Sequence, residues 1–140
     1  MGALPRALMI RRLAYTSVPR TNLPAAEIPR IIASSRTRNA REGISGVLVY
    51  TGHEFAQLIE GNAESVERVW RRIRADARHV EAVTLLDELD LQPWFNDWRV
   101  GYLADRALID LLAVWRTLGR HLDNGERDAL HRLFASADSL

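Results

Sequence analysis

The order of strand-like and helix-like segments between residues 8 and 103 limits the fold more than any other feature of the chain. The apolar, partly alternating run Leu8 to Ser17 predicts a first strand. The stretch Ala25 to Thr37 has isoleucines at helical spacing, which predicts an amphipathic helix. The runs Ile44 to Thr51 and Glu54 to Glu60 are joined across a Gly-His pair and predict a β-hairpin.

The segments that follow complete a recognisable order. The run Ala63 to Ala77 has apolar residues on one helical stripe among many arginines, which predicts a second amphipathic helix. Val80 to Leu91 predicts a fourth strand, and Trp98 to Leu103 predicts a short fifth one. The order strand-helix-strand-strand-helix-strand, with one more strand, is the ferredoxin-like α+β arrangement. Both helices then lie on one face of an antiparallel sheet and leave a slot between them.

Two further helices are predicted after the last strand, at Asp105 to Leu118 and Glu126 to Ala135. The first has an apolar stripe that must be covered, and we expect both helices to pack on the sheet face that the first two leave open. We therefore expect a domain at residues 8–103 and a helical extension or cap at residues 104–140. The stripe consists of Leu108, Leu111, Leu112, Trp115 and Leu118.

The composition excludes several classes of function. The 140 residues include 19 basic and 18 acidic side chains. The net charge of +1 creates no large electrostatic field that would attract nucleic acid or an anionic membrane. The absence of cysteine excludes thiolate nucleophiles and any photochemistry that bonds a flavin to a cysteine. The four histidines lack a compact ligand pattern, so no metal site is expected. We recognise no signal peptide or spanning segment and expect a cytoplasmic protein.

Two polar residues on predicted strands are candidates for chemistry. Gln57 shares a strand face with Phe55 and Ile59, where an unsatisfied amide would cost about 1–3 kcal/mol. Tyr15 lies in the first strand and can face the same side; its phenol can donate a hydrogen bond, or an electron and a proton. The alternative for both residues is a buried side chain whose polar group is satisfied by its neighbours.

Two helix ends are also rich in polar groups. The segment Ser35 to Gly46 concentrates amide, hydroxyl and guanidinium donors that can recognise the carbonyl edge of a planar heterocycle. Its alternative is a solvated helix end capped by Asn39. The segment Arg74 to His79 can meet a phosphate or a ribityl chain, although helix ends are often basic because of the macrodipole.

Together these segments resemble the BLUF family, the blue-light sensors that use FAD, over about residues 10 to 103. Each segment alone is weak, and their order and spacing make the resemblance specific. The segments that carry it are Leu13-Ala14-Tyr15-Thr16-Ser17, Ser35-Arg36-Thr37-Arg38-Asn39, Gly43-Ile44-Ser45-Gly46-Val47-Leu48, Phe55-Ala56-Gln57-Leu58-Ile59-Glu60-Gly61, Asp76-Ala77-Arg78-His79 and Phe95-Asn96-Asp97-Trp98.

The resemblance implies a photochemical mechanism and a cofactor. Tyr15 is expected to give an electron and a proton to the excited flavin, and Gln57 is expected between the tyrosine and the N5 and C4 carbonyl edge of the flavin. Recombination then leaves Gln57 with rearranged hydrogen bonds. The cofactor is expected to be non-covalent FAD, with FMN as the alternative.

The resemblance also implies a set of cofactor-binding residues. Asn39 matches the asparagine that bonds the flavin ring, and Ile31 and Ile73 match the apolar residues on the two ring faces. Ser35 is expected beside Gln57. The implied set is Ile31, Ser35, Arg38, Asn39, Phe55, Gln57, Ile73, Asp76, Arg78 and His79, the last three near the ribityl and phosphate groups.

The last strand is expected to relay the signal through Trp98 or the residue at position 100. Many BLUF relatives have a methionine two residues after this tryptophan, whereas this chain has Val100, which cannot accept a hydrogen bond at sulfur. We therefore expect a shortened or otherwise altered light-state lifetime, and dark recovery measured in Val100→Met beside the wild type tests it. Equal recovery rates would contradict this expectation.

Three other functions compete with the photoreceptor. An acylphosphatase-like hydrolase would need a glycine-containing phosphate loop after the first strand, which Val18-Pro19-Arg20-Thr21 does not supply. A nucleic-acid binder would expose aromatic residues on a basic surface. A flavin-free interaction module on the same fold remains open.

A photoreceptor without an attached catalytic domain must signal through protein contacts, to an unknown effector or within a homodimer, and it is expected to be no enzyme itself. We expect no nucleic-acid or membrane partner. The predicted C-terminal helices, with Trp115, Leu118 and Phe134, are either the signalling surface or only a lid.

Overall fold

The computed structural model describes residues 9–139, so the predicted first residue of the domain, Leu8, lies outside the described part. Among these residues no helix is long and apolar enough to cross a membrane. The elements are β1 Ile10–Pro19, α1 Glu27–Glu42, β2 Ser45–Tyr50, β3 Phe55–Asn62, α2 Ala63–Ala75, β4 His79–Asp90, β5 Trp98–Tyr102, α3 Arg106–Leu118, α4 Asn124–Ala135 and β6 Asp138–Ser139.

The strands form one sheet in the order β4-β1-β3-β2-β5-β6. The four strands of the ferredoxin-like core pair antiparallel, which confirms the predicted α+β fold. The fifth strand departs from the antiparallel expectation, because β5 pairs parallel to β2 and the sheet is mixed. The reason is topological: β4 lies at the opposite edge, and the chain crosses to the β2 edge before it enters β5 in the direction of β2. The short β6 was not predicted.

Alternation along β1 assigns each of its residues to one of two cores. Leu13 and Tyr15 pack against α2, whereas Ala14 packs on the opposite face of the sheet. Helix α2 begins at Ala63 and is capped by the preceding Asn62, whose side chain accepts from the Glu64 amide. The buried residues of α2 that cover the first face are Ser65, Val66, Val69, Trp70 and Ile73.

The two C-terminal helices pack on the second face, as predicted. Trp115 of α3 and Phe134 of α4 are buried there, so neither is available as the exposed signalling surface we considered. Leu118, which we expected in the covered stripe, is 50% exposed. At about 100° per residue it lies on the flank of α3 beside the equally exposed Val114, away from the line through Leu112 and Trp115.

Helix α1 is longer than predicted and ends at Gly43, not near Thr37. Gly43 adopts a left-handed conformation with φ 67°, which a residue without Cβ accepts at no steric cost. Asn39 is therefore not the cap but lies one turn inside the helix. Its side chain and that of Ser35 are the buried ones on this helix. The extension brings polar groups of α1 over the sheet.

Gly46 is expected to be the glycine least tolerant of substitution. Its φ is 139°, and a Cβ atom there would lie 1.9 Å from the carbonyl oxygen of Leu58. Gly46→Ala should lower the free energy of unfolding by about 3 kcal/mol, because backbone strain and overpacking add. Urea denaturation measures this loss. The control is Gly52→Ala, which has φ 94° but no atom within 4 Å of the added carbon. Equal losses of stability in both variants would show that the collision with the Leu58 carbonyl oxygen does not cause the loss in Gly46→Ala.

His131 on α4 is expected to make folding sensitive to acid. Its ring stacks on the ring of Trp94, with centroids 4.2 Å apart and an angle of 3° between the two planes. Burial lowers the pKa of the imidazole, and the positive charge of Arg12 lowers it further. The other charged groups around it are Glu60, Arg127 and Asp128. The unfolded chain then binds a proton more readily than the folded one just below pH ~6.5, so stability falls as the pH falls through this window.

The variant His131→Phe keeps a stacking ring and removes the titration. Urea denaturation between neutral pH and about pH 5 should show a shallower acid loss of stability in this variant, by at most about 1.4 kcal/mol per pH unit. An identical pH dependence in wild type and variant would contradict the assignment to His131.

Candidate functional site

A pocket of about 350 Å³, partly open to solvent, lies between α1, α2 and the sheet. Of the ten residues expected around a cofactor, all except Asn39 line the wall. The lining consists of Tyr15, Ile31, Ser35, Arg38, Leu48, Phe55, Gln57, Ile73, Asp76, Arg78 and His79.

Leu48 is the lining residue that sequence reasoning missed. It is directly opposite Gln57 in the β2–β3 hairpin, so both side chains lie on the same face of the sheet. The hairpin was predicted, and its register would have identified Leu48 once Gln57 was singled out. Asn39 lies next to the wall, where its Nδ2 donates to Gln57 Oε1 at 3.3 Å.

Tyr15 and Gln57 form a cross-strand pair in the wall of the pocket. The register of β1 and β3 pairs these two residues directly. Gln57 Nε2 donates to Tyr15 Oη at 2.7 Å, and both side chains are almost completely buried. Neighbouring residues on one face of an antiparallel pair have Cβ atoms only ~4.5–5.5 Å apart. Tyr15 and Gln57 are therefore in contact because of sheet pairing and not because of a loop.

The orientation of the Gln57 amide follows from Trp98. The indole Nε1 of Trp98 lies 3.2 Å from Gln57 Oε1. An indole nitrogen can only donate, so the Gln57 atom facing it must be the carbonyl oxygen. The amide nitrogen then faces Tyr15, and the tyrosine oxygen accepts. Among residues 9–139 that nitrogen has no second acceptor, which leaves one amide hydrogen available to a ligand.

Burial keeps the Tyr15 phenol protonated. Desolvation raises the pKa of Tyr15 to about 12, against the smaller opposite effect of the hydrogen bond from Gln57. The ring also packs on Trp70, with centroids 5.0 Å apart. At neutral pH the residue is thus a neutral phenol that can lose an electron and a proton together.

Arg38 brings an unsatisfied donor to the pocket. Its Nη2 is buried and has no hydrogen-bond partner among the described residues. Its Nε makes only a long contact to Asn39 Oδ1, 3.4 Å. Burial lowers the pKa of Arg38, but an arginine remains protonated in proteins. An orphaned guanidinium nitrogen in a pocket wall is the feature that a bound acceptor, such as a ring carbonyl, would satisfy.

Asp76, Arg78 and His79 line the wall after α2. Arg78 Nη2 lies 2.7 Å from Asp76 Oδ2, and this contact holds the pKa of the Asp76 carboxyl below its usual value. His79 is engaged on both ring nitrogens, by the Ser17 hydroxyl at 2.7 Å and by the Ile73 carbonyl oxygen. His79 therefore shapes the wall, and it has no free nitrogen for a phosphate.

Val100 lies two residues after Trp98 and opposite Leu48 in the register of β2 and β5. It is buried but does not line the pocket. Trp98, in contrast, contacts Gln57 through its indole nitrogen. Of the two relay candidates, only Trp98 has a polar contact with the tyrosine-glutamine pair.

The fold and this pocket define a ferredoxin-like α+β domain with a small-molecule cavity between its helices and a tyrosine-glutamine-tryptophan hydrogen-bond chain in the wall. Comparison with known families assigns it further. The family described as "Sensors of blue-light using FAD" matches residues 10–101. The chain belongs to this family, the BLUF domains, which are blue-light sensors that use a flavin.

Curated relatives confirm the family and differ in what surrounds the domain. The chain is 35% identical over 78 residues to the blue light- and temperature-regulated antirepressor BluF of Escherichia coli K12, covering 56% of this chain and 19% of that protein. It is 30% identical over 103 residues to the photoactivated adenylate cyclase subunit beta of Euglena gracilis, covering 71% and 12%. The chain thus spans about a fifth or less of the length of these relatives.

Solved structures of similar size share the fold. The BLUF protein BlrB in its dark state is 35% identical, with a TM-score of 0.69, over 91% of this chain and 96% of that one. The photo-activated state of BlsA has a TM-score of 0.75 over 94% and 98%, at 23% identity, which supports the fold alone.

Proposed function

We propose that this chain is a blue-light photoreceptor that binds FAD non-covalently in the pocket and uses Tyr15 and Gln57 to convert excitation into a change of hydrogen bonds. The observation that carries the proposal is the chain from Tyr15 through Gln57 to Trp98 in the pocket wall. Three groups in contact, each with a different donor and acceptor capacity, can exist in two hydrogen-bond arrangements.

The pocket suits a flavin ring. Ile31 from α1 and Ile73 from the end of α2 line it from two helices and supply apolar surface for the two faces of a flat heterocycle. The unsatisfied Arg38 Nη2 and the free amide hydrogen of Gln57 supply donors for the carbonyl edge. Asn39 does not line the pocket but orients Gln57, because its side-chain amide donates to the Gln57 carbonyl oxygen. Apolar walls with a few placed donors are typical of cofactor pockets.

The phosphate end is proposed at Asp76 and Arg78. Arg78 is ion-paired to Asp76, yet a guanidinium has five donors and can bond a phosphate as well. His79 takes a wall role in this proposal because both of its nitrogens are engaged. The choice of FAD over FMN rests on the family description.

Each residue of the hydrogen-bond chain would have its own role toward a bound flavin. A bound flavin supplies the blue-light absorption and, when excited, an acceptor for an electron. Tyr15 is the proposed electron and proton donor, because its phenol is neutral, buried and in contact with Gln57. With a flavin bound, Gln57 would lie between Tyr15 and the carbonyl edge of the ring, and a rearrangement of its amide would turn the carbonyl oxygen away from Trp98. The Trp98 indole could then no longer donate to the Gln57 carbonyl oxygen, and its own hydrogen bond would have to change.

The output is proposed to leave through protein contacts. One relative is named an antirepressor and another a subunit of a cyclase, so the family's light-sensing domain accompanies different outputs. For this chain we propose no enzymatic activity, a downstream protein effector of unknown identity, and a homodimer as the alternative partner. Residues 8–103 would form the flavin domain and residues 104–140 its helical cap.

An absorption spectrum of the purified protein, reconstituted with FAD and recorded before and after blue light, tests the proposal. We expect a yellow protein whose flavin band shifts to longer wavelength under blue light and returns in the dark. Red light of equal intensity is the control and should produce no shift. A protein that cannot take up flavin would overturn the proposal and favour the flavin-free interaction module.

A further inference from the structure

Glu60 is a carboxylate buried without any exposure near the end of β3. Its oxygens accept the backbone amides of Trp94, at 2.8 and 3.0 Å, and of Phe95, at 3.0 Å. Its remaining partner is the equally buried Arg12, whose Nε donates at 2.8 Å. Carboxylates that accept backbone amides form short and strong hydrogen bonds. Glu60 therefore fixes the segment between β4 and β5, residues 91–97, by its main chain.

Arg12 holds the same segment from the other side. Its Nη2 donates to the carbonyl oxygen of Gln92 at 2.8 Å, and its guanidinium lies 4.1 Å above the Trp94 ring. The same Trp94 ring also stacks on His131 of α4. The buried pair thus holds the β4–β5 segment at residues 92, 94 and 95 and joins it to a C-terminal helix.

The β4–β5 segment leads directly to Trp98, which contacts Gln57 in the pocket wall. Trp98 is the first residue of β5, and its indole donates to Gln57. The preceding residue, Asp97, is fixed to β2 because its carbonyl oxygen accepts from the Gly46 amide at 2.9 Å. Gln57 and Glu60 lie on the same strand three residues apart and face opposite sides of the sheet. One strand therefore contacts Trp98 directly on one face and the segment before it on the other.

From this geometry we infer that Glu60 is a positioning residue for Trp98: its carboxylate holds the β4–β5 segment so that the indole remains at Gln57. The inference rests on the proposed function in so far as Gln57 rearranges in light. In the dark state the fixed segment returns Trp98 to the glutamine oxygen. Without the carboxylate, the part-buried amides of Trp94 and Phe95 lose their acceptor and the segment loses its register.

The variant Glu60→Gln tests this inference, because an amide has one accepting oxygen and cannot hold two backbone amides and Arg12. The matched control is Glu88→Gln. Glu88 contacts the same Arg12 and also Arg127, but it makes no hydrogen bond to the β4–β5 segment. Both variants remove one negative charge from the same cluster, and only the first takes an accepting oxygen away from the three donors Arg12, Trp94 and Phe95.

Dark recovery after blue light is the first readout. We expect Glu60→Gln to slow recovery on the order of tenfold, which corresponds to about 1.4 kcal/mol of lost transition-state stabilisation. Glu88→Gln should stay within about twofold of wild type, roughly 0.4 kcal/mol by the same relation. In a Trp98→Phe background, Glu60→Gln should add no further change, because the two residues act in series. An additive effect in the double variant would overturn the inference.

The second readout is independent of the light response. In the NMR spectrum of the dark protein, Glu60→Gln should shift the Trp98 indole N–H resonance and speed hydrogen exchange at the amides of Trp94 and Phe95, whereas Glu88→Gln should leave all three unchanged. Denaturation profiles identify a variant that fails to fold, and Glu60→Asp, which keeps the charge on a shorter side chain, then replaces it. An unchanged indole resonance in folded Glu60→Gln would overturn the inference. A wild type without a light-induced shift would overturn the proposed function instead.

Discussion

Gln57→Leu is expected to abolish the light-induced red shift completely while the protein still binds flavin. Leucine nearly preserves the side-chain volume, but it can neither donate to Tyr15 nor accept from Asn39 and Trp98. No second hydrogen-bond arrangement then exists at this position. Difference absorption spectra before and after blue light measure the loss, and the yellow colour of the purified variant shows that flavin remains bound.

Tyr15→Phe should abolish the same shift for a different reason, since the electron and proton donor is removed while the ring still packs on Trp70. The matched control is Tyr50→Phe, because the Tyr50 hydroxyl bonds the Gly52 carbonyl oxygen and does not line the pocket. A normal shift in Tyr15→Phe would exclude the proposed role of this tyrosine, and loss of the shift in Tyr50→Phe would indicate a general structural cause.

Arg12→Met is expected to destabilise the folded protein by about 3–5 kcal/mol, the usual cost of breaking a buried ion pair by removing one partner. The variant leaves Glu60 buried without its cation and removes the donor to the Gln92 carbonyl oxygen. Methionine fills part of the space but cannot donate. Urea denaturation followed by circular dichroism measures the loss.

The neighbouring arginine supplies the control for this prediction. Arg11 forms ion pairs with Asp87 and Glu67, both partly exposed, and such pairs contribute roughly 0–1 kcal/mol. Arg11→Met should therefore change stability little. If the two arginine variants lost equal stability, burial of the Arg12 pair would not be what stabilises this end of the sheet.

The sequence by itself determined the element order and the faces of the strands. Period-two alternation is a local property, so it identified the strand face of each residue and showed that Tyr15 and Gln57 can face the same side; the strand register then placed them together. Helical periodicity did the same for α2 and most of α3. The ordered motifs then identified the BLUF family, because such a series of spaced residues is rare by chance.

The tertiary structure decided what depends on partners distant in the chain. Propensity did not reveal that α1 continues past Thr37, since the left-handed Gly43 that ends it is recognised only with the next strand in place. Nor did it show that β5 joins β2 in parallel, because strand order follows from packing of the whole sheet.

The same limit applies to the two arginines at positions 11 and 12. They are equivalent in composition and adjacent in sequence, yet only Arg12 is fully buried. Its burial depends on Glu60, Gln92 and Trp94, which the fold brings together from three separate segments. A charge becomes a buried structural element when distant residues desolvate and pair it, and that cooperation exists only in the folded chain.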